Sequence, residues 1–95
     1  MKKRKYLPAD AFGKPLKVGN WVRVCAVPDL SGMTVECQNE SRPVFRFAVR
    51  RNFIITDFDE VGCARLEVSI PLGENRGLHT IWVEPFLLNK RNRSD

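Results

Sequence analysis

The sequence predicts a mostly β protein, a small barrel of about five short strands with one inserted short helix. Three observations lead to this fold class. Apolar and polar residues alternate at 21–27, 63–72 and 79–85. Residues 41–51 differ, because their apolar residues recur at spacings of three and four. The 95 residues suffice for a single domain with a modest core.

The alternating stretches assign residues to the two faces of the strands, with residues 53–60 as a further strand. The core-facing positions are Val22, Val24 and Ala26, then Ala64, Leu66, Val68 and Ile70, and finally Ile81 and Val83. The outward positions are Trp21, Arg23 and Cys25 near the start and Thr80, Trp82 and Glu84 near the end. After the last of these strands, FLLN predicts a short helical or 3₁₀ turn that buries Phe86 and Leu87 under the barrel.

The helix is expected near residues 42–51. Ser41 suits its N-cap, and Pro43 suits its first turn. Arg42, Arg46 and Arg50 recur at four on the polar side of this helix. The preceding polar stretch, which starts at Pro28, shows no sustained period and is expected to be a long connection.

Charge divides the chain into three parts. We expect a basic, partly flexible lead-in at 1–15, the barrel domain at 16–89 and a basic tail at 90–95. The chain has 16 Lys and Arg against 11 Asp and Glu, a net charge of +5. The whole excess lies in residues 2–5 and 90–95, so the domain between them is nearly neutral. This distribution weakens the inference from a basic protein to a basic nucleic-acid-binding face.

The opening of the domain, PLKVGNWVRVCAVPDLSGM, resembles the KOW- and Tudor-type modules of the Src-homology-3-like barrel class. Val18, Gly19, Val22 and Val24 match the opening V-G-x-x-V-x-V of such modules, and Gly32 matches their turn. The larger pattern PVF…FIITDFDEVG…LEV…HTIWVEP is similar to a group of small uncharacterised bacterial proteins. The resemblance implies a Src-homology-3-like barrel in a bacterial protein, and it implies no activity.

Catalytic and metal chemistry find little support in the spacing. His79 and Glu84 are five residues apart on a strand, so their side chains point to opposite faces. Cys25, Cys37 and Cys63 form no C-x-x-C pair, which disfavours a zinc site with His79 and favours free thiols in a reducing cytoplasm. The acidic residues 57–60 suit a solvated hairpin end better than a metal loop. We therefore expect a cytoplasmic protein that is not an enzyme and holds no cofactor or metal.

Two surfaces are candidates for binding. The outer face with Trp21, Arg23, Trp82 and Glu84 would meet a protein or peptide, provided that the first strand neighbours the strand of Trp82. Alternatively, the lead-in covers both indoles through Tyr6, Leu7 and Phe12. The second surface comprises four arginines that would meet phosphates or an acidic partner: Arg42, Arg46, Arg50 and Arg51.

The sequence thus favours a non-catalytic interaction module with an unidentified protein partner. The alternative is a nucleic-acid-associated module, in which the basic tails and the helix arginines contact phosphates. No stretch has the apolar run of about 18 residues that a membrane-spanning helix needs, so no membrane partner is expected. We also expect a monomer.

Overall fold

The computed structural model describes residues 6–92, which form a single sheet and one α-helix. The start of the predicted basic lead-in, residues 1–5, and the end of the predicted basic tail, residues 93–95, lie outside the described residues. In chain order the elements are β1 (Trp21–Val24), α1 (Val35–Ala48), β2 (Asn52–Phe58), β3 (Ala64–Ile70), β4 (Gly77–Val83), a 3₁₀ turn (Pro85–Leu87) and β5 (Leu88–Arg91). The prediction of a mostly β domain of five strands with one helix is confirmed.

The five strands form an antiparallel sheet in the order β4-β3-β2-β1-β5. The long strand β2 belongs to both halves of the sheet, because its first part pairs with β1 and its second part with β3. The register shifts between Ile55 and Asp57, at the passage from one half to the other. Such an irregularity bends a strand and increases its twist. Strands β4 and β5 lie at opposite ends of this order, so the sheet is not closed.

The core lies between the inner face of the sheet and α1. The alternation predicted for β3 and β4 is confirmed, because the buried positions are Ala64, Leu66, Val68, Ile70, Ile81 and Val83. Val44, Phe45 and Ala48 contribute the buried side of the helix. In β1 the prediction holds for Val22 and Val24, whereas Ala26 is exposed because the strand ends at Val24.

The helix begins earlier than the sequence predicts, at Val35 rather than near residue 42, and it ends at Ala48 rather than at 51. Its N-cap is Thr34, whose hydroxyl accepts the Cys37 N–H at 3.2 Å. The expected cap Ser41 lies inside the helix together with Pro43. The first turns were missed because their side chains are exposed and form no apolar stripe. The helix stops where Arg50 takes a left-handed backbone conformation, with φ of 70°.

The end of the domain contains a strand that the sequence did not predict. The expected turn after β4 is present. Phe86 is exposed, contrary to the prediction, whereas Leu87 is partly buried against the core and Leu88 is fully buried. Leu88 also begins β5, which pairs with β1 along its length. Lys90 and Arg91, assigned to the basic tail from the sequence, therefore belong to the sheet.

Asp10 fastens the described part of the lead-in to β5. Its side chain is 5% exposed. One carboxylate oxygen accepts the N–H groups of Phe12 and Lys14 at 2.9 and 2.8 Å, and the other accepts the Lys90 N–H at 2.7 Å. In addition, the Ala11 N–H donates to the Leu88 carbonyl at 2.8 Å. These bonds satisfy a buried carboxylate and cover the outer edge of β5.

Candidate functional site

Trp82 lies on the outer face of β4, where 40% of it is exposed. Its cross-strand neighbour is Arg65, whose guanidinium lies 5.9 Å from the centre of the indole ring. Arg65 also lies 3.7 Å from the carboxylate of Glu67, which in turn accepts a hydrogen bond from the Thr80 hydroxyl at 2.9 Å. The indole is thus held over a polar network and still presents a face to solvent.

Trp21 occupies the outer face of β1 and is half-buried. It lies opposite Ile54 on one side and Arg91 on the other. The next outward residue, Arg23, donates from Nε to the Asn52 side-chain carbonyl at 3.3 Å. Trp21 and Arg23 therefore belong to a surface formed by β2, β1 and β5.

The two tryptophans lie on different parts of the sheet. The expected adjacency of the first strand and the strand of Trp82 is wrong, because β2 and β3 lie between β1 and β4. The expected cover by the lead-in is not found either. Leu7 and Phe12 are largely exposed, and the Tyr6 ring packs against Phe86 with 5.7 Å between ring centres.

Glu84 does not continue the outer face of β4. It follows the strand, and its backbone carbonyl accepts the Leu87 N–H of the 3₁₀ turn at 3.0 Å. Its side chain is half-buried. One carboxylate oxygen is shielded from solvent and has no hydrogen-bond partner among residues 6–92. The turn thus sets the position of Glu84, and Glu84 does not lie beside Trp82 on the outer face of β4.

A cleft of about 320 Å³ lies between α1 and β4, beside Trp82. Val44 and Phe45 of the helix and Ile81 of the strand give it apolar walls, Trp82 borders it, and Glu40 also lines it. The sequence assigned none of these three helix residues to a site. Their spacing marked Val44 and Phe45 only as apolar helix positions, and the cleft arises from tertiary packing of α1 beside β4.

His79 also lines this cleft, and its imidazole is already engaged. Its Nε2 lies 2.6 Å from the backbone carbonyl of Asn75. A carbonyl can only accept, so Nε2 carries the hydrogen in this contact. The histidine thereby links the strand to the loop that precedes it.

The four arginines do not form one helical stripe. Arg42 and Arg46 lie on α1, and Arg42 donates to the side-chain carbonyl of Gln38 at 3.2 Å. Arg50 and Arg51 lie beyond the helix end. The guanidinium of Arg51 lies 4.1 Å from the centre of the Phe47 ring. The expected series at spacing four is therefore wrong at Arg50, because the left-handed backbone there ends the helical repeat.

A second concave surface of about 380 Å³ joins the lead-in to β5. Phe12, Lys14, Lys90 and Arg91 line it, and Phe12 is 71% exposed. The sequence did not predict this surface, because its two segments lie at opposite ends of the chain. From the sequence, each of them was expected only as a separate basic segment.

The surroundings of Asp59 and Cys25 are those of residues with a structural role. One carboxylate oxygen of Asp59 accepts the N–H groups of Val61, Gly62 and Cys63, so Asp59 organises the β2–β3 turn. Within residues 6–92, no three His, Cys, Asp or Glu side chains lie close enough together to hold a metal ion. Although part of Cys25 is exposed, the surrounding protein desolvates its thiol and raises its pKa, and the charge of Asp10 acts in the same direction.

Comparisons of the chain with protein-family models, with curated proteins and with solved structures found no match. In the described part of the chain, no helix combines the length and the apolar character needed to cross a membrane.

Proposed function

We propose that this chain is a non-catalytic interaction module that binds a protein or peptide segment beside Trp82. The observation that carries the proposal is the position of this half-exposed indole at a cleft with apolar walls from α1 and β4. A rigid aromatic side chain next to an apolar recess is the usual centre of a protein-binding surface. Trp21 and Arg23 lie across two intervening strands, so the proposal places the main contacts at Trp82.

Two observations support a non-catalytic role. The Nε2 atom of His79 is bound to the Asn75 carbonyl, so this contact ties the imidazole to the loop before β4. Desolvation by the surrounding protein raises the pKa of the Cys25 thiol, which disfavours the nucleophilic thiolate. Both side chains therefore have surroundings typical of structural residues.

The proposal also includes a specific fold class for the domain. A Src-homology-3-like barrel over residues 16–89 is supported by the pairing of β1 with both β2 and β5 and by the bulge that lets β2 serve both halves of the sheet. The free state of Cys25, Cys37 and Cys63 supports a reducing compartment, the cytoplasm. With the sequence resemblance, these features make a bacterial cytoplasmic protein our working assignment.

Selection of peptides tests the proposed function. A displayed library of random nonapeptides is enriched on the full chain, and the affinities of the selected peptides are measured for the wild type, Trp82→Ala and Trp21→Ala. We expect Trp82→Ala to weaken binding about 30-fold, as at a binding hot spot, and Trp21→Ala to change it little. Binding should persist from low to moderate salt. The proposal would be contradicted if no peptide is enriched, or if the selected peptides bind Trp82→Ala as tightly as the wild type.

The second candidate is a nucleic-acid-associated module, and the basic surface around Phe12 favours it. An exposed aromatic ring flanked by Lys14, Lys90 and Arg91 can stack on a base while the cations contact phosphates. Labelled single- and double-stranded oligonucleotides would be titrated with the full chain across a salt series. Lys14→Gln with Arg91→Gln should weaken binding and flatten its salt dependence, and Phe12→Ala should weaken single-strand binding.

The helix arginines supply the matched control. If Arg42→Gln with Arg46→Gln has the larger effect, the nucleic-acid surface lies on α1 instead. If neither pair changes binding, neither of these two surfaces binds nucleic acid.

A further inference from the structure

The two edges of the sheet differ in how they are covered. The β5 edge is occupied by the lead-in, through the bonds of Asp10 and Ala11 to Lys90 and Leu88. The outer edge of β4 has no strand partner and accepts no backbone hydrogen bond from elsewhere within residues 6–92. A seven-residue edge therefore presents backbone N–H and C=O groups that can pair with another strand.

The sequence of β4 contains none of the usual features that prevent such pairing. From Gly77 to Val83 the strand has no Lys, Arg, Asp, Glu or Pro. Its solvent-facing side instead carries two apolar residues, Leu78 at 72% exposure and Trp82 at 40%. These residues lie two positions before and two positions after Thr80, so the strand has an apolar pattern that is symmetric about Thr80.

From this symmetry we propose that the partner at β4 is a second copy of the same chain, paired antiparallel along β4 about a two-fold axis at Thr80. This inference rests on the proposed function, because it identifies the protein that would bind beside Trp82. Directly opposite residues of antiparallel strands point to the same face. Leu78 of each copy then lies opposite Trp82 of the other, and the two identical contacts make the interface self-complementary.

This register is also compatible with the side-chain charges of β4 and with the position of the cleft. No pair of like charges meets along the two strands, because β4 carries no acidic or strongly basic side chain. His79 and Ile81 face the helix side, so those of the second copy would come beside the cleft whose apolar walls include Val44 and Phe45. Dimerisation would therefore cover both the open edge and the apolar recess, and it replaces the monomer expected from sequence.

Sedimentation velocity of the full chain, from about 1 μM to about 1 mM, tests the proposal over the range of moderate affinities. We expect a concentration-dependent dimer that Leu78→Lys or Trp82→Glu weakens about tenfold or more, since each loses both cross-strand apolar pairs. An equimolar mixture of these two variants should recover association, because the introduced lysine of one chain faces the introduced glutamate of the other. Leu72→Lys is the control, since Leu72 is 83% exposed but lies outside β4.

Three results would overturn the inference: a wild type that stays monomeric throughout, a dimer that Leu78→Lys leaves unchanged, or variants that do not recover on mixing. Circular dichroism checks that each variant folds. If a variant does not fold, hydrogen exchange of the wild-type backbone amides tests the dimer instead. Strand pairing must slow the exchange of alternate β4 amides as the protein concentration rises. Trp82-dependent peptide binding by a chain that stays monomeric would overturn this inference alone and leave the proposed function intact.

Discussion

The carboxylate of Asp10 accepts a hydrogen bond from the backbone N–H of Lys90, eighty positions further along the chain, at 2.7 Å. The same carboxylate binds the N–H groups of Phe12 and Lys14, so one side chain shapes the lead-in and attaches it to the last strand. The buried group thus determines the local structure at both ends of the described chain.

Replacing Asp10 by Asn should destabilise the protein by about 2 kcal/mol, the order expected for hydrogen bonds to a buried charged group. The amide of Asn has one oxygen, and its NH₂ group would face an N–H that the carboxylate now accepts. Urea unfolding followed by circular dichroism measures the change. Asp29→Asn is the control, because Asp29 is exposed and its hydrogen bonds go to the nearby Ser31. Equal losses in the two variants would contradict the role given to Asp10.

The stability should also depend on pH through Asp10. Burial acts to raise the pKa of this carboxyl, but the hydrogen bonds from Lys90, Lys14 and Phe12 and the charge of Lys14 outweigh it and hold the pKa below 3.8. A lowered folded-state pKa gives stability that is present above the unfolded value and is lost as the pH falls through the folded value. The wild type should therefore lose more stability than Asp10→Asn between pH 5 and pH 2, measured by urea unfolding. Parallel curves would contradict this assignment.

Gly62 should not tolerate a side chain. A Cβ atom there would lie 2.6 Å from the backbone oxygen of Tyr6, and the residue has a φ of +101°. Gly62→Ala should destabilise the protein by about 2–3 kcal/mol, from the unfavourable backbone conformation and the displaced lead-in together. Gly73→Ala separates the two causes, because Gly73 has a φ of +95° with no atom within 4 Å of the added Cβ. Chemical denaturation should show the larger loss at Gly62, and equal losses would exclude a contribution from Tyr6.

The start of α1 can be tested with two hydroxyl residues. Thr34→Ala removes the side chain that accepts the Cys37 N–H and should cost about 1 kcal/mol of stability. Ser41→Ala lies inside the helix and should be neutral or slightly stabilising, because Ala is the better helix former. The free energies of unfolding of both variants decide between the observed N-cap and the one expected from sequence. A greater loss at Ser41 would contradict the structure.

Strands with one buried face could be predicted from the sequence, and elements defined by distant contacts could not. Leu66 and Val68 in β3 show their burial as a period of two, which the sequence displays directly. Strand β5 has four residues, of which Leu88 alone is buried, so it offers no period to detect. The cap at Thr34 was missed because the turns that follow it are exposed.

The candidate site shows the same division. Trp82 was predicted to lie on the outer face of its strand, and it does. Its neighbours were not predictable, because the order of strands separates it from Trp21 and places it beside a helix whose start was assigned too late. The partners of Asp10 are backbone groups, which carry no residue-type signal in the sequence.

The attachment of the lead-in to β5 has a consequence for synthesis on the ribosome, where a chain emerges from its N-terminus. The lead-in depends on β5, which is synthesised after it, and β1 lacks one of its two neighbours until β5 is available. We therefore expect nascent chains exposed only as far as Glu84 to be cut readily by protease, and chains exposed through Asn92 to resist. Synthesis must therefore pass β5 before the domain can close around its lead-in.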